Sequence, residues 1–167
     1  MTKTRKIQFV WHCHHDILLE PLTELFSVRV QYIKEEKLED EQPLRLRLFR
    51  KVKGKLPQEI IEAKKTCDEA WKTYIESWKA RNKSWGGRRK AWEVSNKAGG
   101  DAYKKAENVY HEAGKTYDKA LKFKGEMRKS YAEALESHKK EILTLHAKEC
   151  EADCPWDEKQ QTIFPKI

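Results

Sequence analysis

The chain has 167 residues, of which 38% are hydrophobic and 37% charged, and its formal net charge is +8. Its mean hydropathy of −0.93 is typical of helical rods, which bury only a narrow apolar stripe. No apolar run approaches the roughly eighteen residues that a membrane span needs, and Met1–Lys6 lacks the apolar core of a secretory signal. We therefore expect a cytoplasmic, non-membrane protein, and its basic charge favours nucleic acid or an acidic protein as partner.

The N-terminal third predicts a mixture of strand and helix. The apolar run Ile7–Trp11 suits a strand, and Pro21 suits the first turn of a helix, where its missing N–H costs nothing. From there the apolar residues up to Ile33 fall on one helical stripe, although Phe26–Tyr32 also alternates as a strand would. Leu44–Leu48 alternates leucine with arginine, a period of two that predicts a half-buried strand over Leu44–Arg50.

Aromatic residues recur every seven positions through the middle of the chain, in two series that are out of phase. The first series is Trp71, Trp78, Trp85 and Trp92, and the second is Tyr103, Tyr110, Tyr117 and Tyr131, with Lys124 at the missing step. In the second series a small or apolar residue follows three positions later, which gives an a/d heptad pattern. The phase slips across Ala98–Asp101, so we expect the chain to reverse near Gly99-Gly100. Gly86-Gly87 is the alternative turn, but it leaves two arms of very unequal length.

These patterns predict a mainly α fold with two parts. Residues 57–145 form a long, coiled-coil-like antiparallel helical hairpin that turns near 98–101. Residues 1–56 and 146–167 form a small α+β base. Because the heptads present regular seams, the hairpin is also expected to associate with a second copy or with a partner helix.

The heptads also carry a resemblance. With units such as Thr116–Ala120 (Thr-Tyr-Asp-Lys-Ala), the chain resembles uncharacterised prokaryotic and phage proteins that are built on tyrosine–alanine repeats. The likeness covers the hairpin and the ending Cys154–Asp157 (Cys-Pro-Trp-Asp). The resemblance implies no activity.

Histidines and cysteines occur close to both ends of the chain. If the hairpin brings the ends together, two imidazoles and two thiolates would meet there, which is the donor set of a structural zinc site. The predicted ligands are His12, His14, Cys150 and Cys154, with Cys13, His15 and His146 as alternates. His12 and His14 share a face of an extended strand, and positions 146, 150 and 154 share a face of a helix. The alternative is that these are ordinary histidines and free thiols.

The same histidines admit a catalytic interpretation. The string His12-x-His14-x-Asp16 also occurs in metal-dependent hydrolases. Those enzymes assemble their ligands from a large α/β scaffold, whereas most of this chain is predicted to be a helical rod. We therefore expect no enzymatic activity, and a small metallohydrolase is the least favoured hypothesis.

Tryptophans and cations alternate in the stretch 79–97, where Glu93 is the single anion. Cations neutralise phosphates and indoles stack on unpaired bases, so this stretch predicts binding of RNA or DNA. The residues predicted to bind are Lys79, Arg81, Lys83, Trp85, Arg88, Arg89, Lys90 and Trp92. The alternative is a solvated basic face over a packed tryptophan seam, in a protein whose heptads serve self-assembly or partner binding.

Overall fold

A computed structural model describes residues 7–98 and 100–165, with only the backbone of 95–98. Met1–Lys6 and Gly99, on which two of the predictions depend, lie outside the described residues. The elements are β1 (Phe9–His14), β2 (Ile17–Pro21), α1 (Phe26–Glu36), α2 (Gln42–Leu48), β3 (Arg50–Lys51), α3 (Gln58–Ala98), α4 (Asp101–Ser137) and α5 (Lys139–Glu149). The predicted mainly α fold, with a helical hairpin and a small sheet, is confirmed. None of the described helices is long and apolar enough to cross a membrane.

The chain divides into two compact units. The sheet unit comprises Met1–Pro57 and Ser137–Ile167, and the hairpin unit comprises Gln58–Glu136. In the sheet unit, β1 lies between β2 and β3, and both pairings are antiparallel. Val10 on β1 packs in a buried cluster with Ile33 of α1 and Phe49, which joins the sheet to the helices beside it.

Two predictions for the sheet unit are wrong. Pro21 ends β2 rather than beginning a helix, and α1 begins later, at Phe26. Leu44–Arg50 is mostly the helix α2, because residues 44 and 48 are four apart and therefore share a helical face as well as a strand face. The arginine at 45 is buried on that helix and pairs with Glu41, one turn before it, at 2.6 Å. Only the last residue of the predicted strand, Arg50, belongs to β3.

In the hairpin unit α3 and α4 pack against each other in antiparallel orientation. Tyr74 contacts Tyr117, the guanidinium of Arg81 lies over Tyr110, and that of Arg88 lies over Tyr103. Each step of seven along α3 thus meets a step of seven backward along α4. Small residues at the heptad positions between these layers are buried, namely Ala70, Ser77 and Ala120. Their size allows the two helices to approach closely.

The ends of the two long helices differ from the prediction at one point. α3 ends at Ala98 and α4 begins at Asp101, so the chain reverses there and Gly86-Gly87 lies inside α3. The prediction extends the helical hairpin to residue 145. Instead α4 ends at Ser137, and α5 begins at Lys139 after the backbone of His138 leaves the helical region (φ −102°, ψ 16°).

Candidate metal centre and hairpin surface

An irregularity in β1 positions the first candidate ligand. The pairing of β1 with β2 is regular as far as Trp11 and then shifts before His14. Within this bulge His12 has a φ of 51°, a left-handed conformation that is uncommon outside glycine and costs energy. Its side chain is buried, with only 1% of the residue exposed, and its ring lies 5.7 Å from that of Trp156.

The other three ligands come from the end of α5 and the loop that follows. His146 is on the last turn of α5 and is buried, and its ring meets that of Trp11 edge-on at 5.3 Å. Cys150 caps α5, because its N–H donates to the carbonyl of His146 at 2.8 Å. The helix stops at Glu149, so the prediction that Cys154 continues the same helical face is wrong. Cys154 lies in a turn beyond the helix.

The four side chains converge on one point inside the sheet unit. His12 Nε2 lies 2.8 Å from His146 Nε2, 3.4 Å from Cys154 Sγ and 3.8 Å from Cys150 Sγ. Cys154 Sγ lies 3.7 Å from His146 Nε2, and all four ligand atoms lie within 4.8 Å of one another. A metal ion could be held by this group.

The pKa values of the two thiols in the group are shifted in opposite directions. A hydrogen bond from the Cys154 thiol, aided by His12 and His146, lowers the pKa of Cys150 to about 3 despite its burial. The same contact, together with burial, raises the pKa of Cys154. These contacts favour the thiolate form of Cys150, and the thiolate is the form of cysteine that binds metals. His12 Nδ1 is buried and has no hydrogen-bond partner among the described residues.

The remaining predicted ligands lie elsewhere. His14 is half exposed, and its Nδ1 pairs with Glu20 at 2.7 Å, so the structure does not bring it into the group. The bulge at His12 breaks the strand alternation on which that prediction depended. His15 is exposed beside Asp16, and Cys13 belongs to the apolar cluster around Val10.

Sequence reasoning missed a carboxylate that neighbours the group. Glu149 accepts a hydrogen bond from Trp11 Nε1 at 3.0 Å and another from the backbone N–H of Lys53 at 3.0 Å. These bonds tie β1, α5 and the loop after β3 together next to Cys150. No spacing in the sequence connects residues this far apart, so the pattern contained no signal for the contact.

The hairpin unit presents its tryptophans at the surface. Their exposed fractions are 52%, 46%, 52% and 53% for Trp71, Trp78, Trp85 and Trp92. Seven helical residues advance about 10.5 Å, so the indoles form a row along α3 at that spacing. About half of each tryptophan is therefore accessible to a ligand along this row.

Cations lie among the tyrosines in the seam between α3 and α4. Arg88 donates to the Tyr103 hydroxyl at 2.9 Å, and Arg81 lies over the Tyr117 ring at 4.8 Å. Lys124 stands at the missing step of the tyrosine series, and its Nζ lies 3.9 Å from the centre of the Tyr74 ring. Aromatic faces attract cations, which lets these residues stay charged in a half-buried seam. Arg81 and Arg88 are thus engaged within the hairpin.

The other predicted nucleic-acid contacts remain at the surface. Lys79, Lys83, Arg89 and Lys90 are all exposed. Arg89 keeps 70% of its side chain exposed, and its 3.8 Å pairing with Glu93 is a weak surface contact. Of these four cations, Arg89 lies one helical turn after Trp85 and shares its face of α3, whereas Lys79, Lys83 and Lys90 lie on other faces of the helix.

Comparisons with known proteins do not assign the chain to a family. No protein-family model matches the chain, and neither do curated proteins or solved structures.

Proposed function

We propose that this chain is a non-enzymatic nucleic-acid-binding protein whose sheet unit is held by a structural zinc ion. The spacing of the four ligand atoms supports the zinc ion. In a tetrahedral site with Zn–N of about 2.0–2.1 Å and Zn–S of about 2.3 Å, nitrogens lie about 3.3 Å apart and nitrogen and sulfur about 3.6 Å apart. Three of the four nitrogen–sulfur distances here are 3.4, 3.7 and 3.8 Å. The two nitrogens, at 2.8 Å, would separate by about 0.5 Å on binding.

The donor set favours a structural ion over a catalytic one. Two imidazoles and two thiolates fill all four positions of a tetrahedral zinc ion, so none is left for water or substrate. His12 and His146 are buried, which keeps the site away from solvent. The ion would join β1 to the end of α5, and binding would therefore add directly to the stability of the sheet unit.

Metal content of the full-length chain, purified without chelator, tests this part. We expect one zinc ion per chain. Cys154→Ser removes a ligand and should release the metal, whereas Cys67→Ser, on α3 of the hairpin unit, should retain it in full. A chain that contains no zinc and binds none when zinc is supplied would contradict the proposal, as would equal zinc content in both variants.

The row of half-exposed indoles beside exposed cations supports nucleic-acid binding. Indole faces stack on unpaired bases, and Lys79, Lys83, Arg89 and Lys90 are placed to neutralise phosphates along the same helix. Stacking requires bases that are not paired, so single-stranded RNA or DNA is the expected ligand. We assign Arg81 and Arg88 a supporting role, because both contact rings of the aromatic seam.

Fluorescence anisotropy with labelled oligothymidylate, oligouridylate and a duplex of matched length tests this part. We expect the single strands to bind more tightly than the duplex at low salt. Absence of binding to all three would refute nucleic-acid recognition. If light scattering then gave a mass above that of the monomer, the alternative function, association through the heptads, would be favoured.

A further inference from the structure

The largest side chains of the hairpin surface enclose a cavity near the end of α3. Its volume is about 230 Å³, and it is lined by Trp85, Arg88, Arg89, Trp92 and Tyr103. Sites for drug-sized ligands occupy about 300–1,000 Å³, so this cavity suits a smaller, single planar group. All five lining residues belong to the hairpin unit.

The walls of the cavity are held in place by contacts within the hairpin. Arg88 donates to the Tyr103 hydroxyl at 2.9 Å and to Glu107 at 3.3 Å, and that hydroxyl donates to Glu107 at 3.0 Å. The Arg88 guanidinium also lies 5.6 Å from the ring centre of Trp85. The Trp85 ring packs at 5.6 Å against Tyr110, which fixes one indole of the cavity while half of the residue stays exposed.

The residues that line the cavity favour a ligand of a particular charge and shape. Two indoles and a phenol offer flat apolar faces, and both charged residues in the lining, Arg88 and Arg89, are cations. Because Arg88 is committed to Tyr103 and Glu107, the exposed guanidinium of Arg89 is the one available to an anion outside the cavity. A flat ring attached to a negative group matches both features.

We infer that this cavity binds one unpaired nucleobase, stacked on Trp85, with the adjacent phosphate on Arg89. The inference rests on the nucleic-acid binding proposed above and names the site where a base is recognised. Of the four tryptophans in the row, Trp85 and Trp92 line the cavity, and Trp71 and Trp78 do not.

A comparison of two tryptophan variants tests the inference. Trp85 and Trp71 occupy the same heptad position of α3 and are each 52% exposed, but only Trp85 lines the cavity. Loss of a stacking partner costs on the order of tenfold in affinity for single strands. We expect Trp85→Ala to weaken binding of labelled oligothymidylate about tenfold and Trp71→Ala to weaken it less than about threefold, with unchanged helicity by circular dichroism. Trp85→Phe should restore most of the affinity.

An abasic strand separates the base from the phosphates. Relative to oligothymidylate, a deoxyribose-phosphate strand of equal length should bind the wild-type chain about tenfold more weakly, but bind Trp85→Ala and wild type almost equally. If wild type binds single strands while both tryptophan variants lose affinity equally, the cavity is not the base site and the proposed function stands. If the abasic strand binds as tightly as oligothymidylate, the inference is overturned, and competition by polyglutamate would then identify a general cationic surface. If wild type binds no strand, both proposals fail.

Discussion

The salt dependence of nucleic-acid binding follows from the number of exposed cations. Lys79, Lys83, Arg89 and Lys90 are exposed on the same part of α3 as Trp85, and each that neutralises a phosphate of a single strand contributes a slope of about −0.7 to log K against log salt. Four such contacts give about −2.8, which is a loss of about 50-fold in affinity between 50 and 200 mM salt. The double variant Lys83→Gln/Arg89→Gln should halve the slope to about −1.4, so that the same change in salt costs only about sevenfold.

Anisotropy titrations of a labelled oligothymidylate at several salt concentrations measure this slope. The control is Lys65→Gln/Lys72→Gln, which removes the same charge from exposed positions of the same helix, where anions outnumber cations. We expect the control to keep the wild-type slope. Equal slopes for the two double variants would refute the reasoning, because binding would then follow net charge rather than this surface.

Two further predictions concern stability and are measured by chemical or acid denaturation. Gly114→Ala should stabilise the hairpin by about 0.8–1 kcal/mol, since nothing lies within 4 Å of the added Cβ. Gly54→Ala should destabilise the sheet unit, because its Cβ would lie 2.5 Å from the Leu145 side chain and 2.8 Å from that of Glu149. The opposite order of stabilities would contradict the packing described. Burial opposes the ionised form of Glu149, but hydrogen bonds, led by that from Lys53 N–H, outweigh it and hold the pKa of Glu149 below its usual 4.5. The contribution of Glu149 to folding stability is therefore present above about pH 4.5 and is lost as pH falls through the lowered pKa. Glu149→Gln should reduce stability at neutral pH and make stability fall less steeply with acidification. An unchanged dependence of stability on acid pH would refute the assignment.

The heptads made the hairpin predictable. A repeat of seven depends only on local helix geometry, so two series in different phases indicate two helices and a reversal between them. The sequence also indicated the position of one cation in the seam, because Lys124 stands where the series lacks a tyrosine. What the pattern could not give is that aromatic faces accommodate Arg81 and Arg88 there, since that depends on which rings the opposite helix brings to them.

The metal centre was only partly predictable. Composition and chain position brought His12, Cys150 and Cys154 into consideration, and the structure groups them with the alternate His146. The choice of His14 assumed an unbroken strand in which His12 and His14 share a face. The left-handed backbone at His12 breaks this alternation, so His12 is buried and His14 is exposed. A bulge of this kind is set by tertiary packing and leaves no period in the sequence.

The strand predicted where α2 lies was wrong for a related reason. Alternating leucine and arginine over five residues satisfies a strand period of two and also places Leu44 and Leu48 one helical turn apart. The ion pair between Arg45 and Glu41 decides in favour of the helix, because it satisfies a buried guanidinium locally. Periodicity over so short a segment does not contain that information.

X-ray absorption at the zinc edge of the full-length chain tests the metal centre most directly. The arrangement of His12, His146, Cys150 and Cys154 predicts two nitrogen neighbours at about 2.0–2.1 Å and two sulfur neighbours at about 2.3 Å. A first shell of nitrogen and oxygen alone, or a chain that takes up no zinc, would contradict the account.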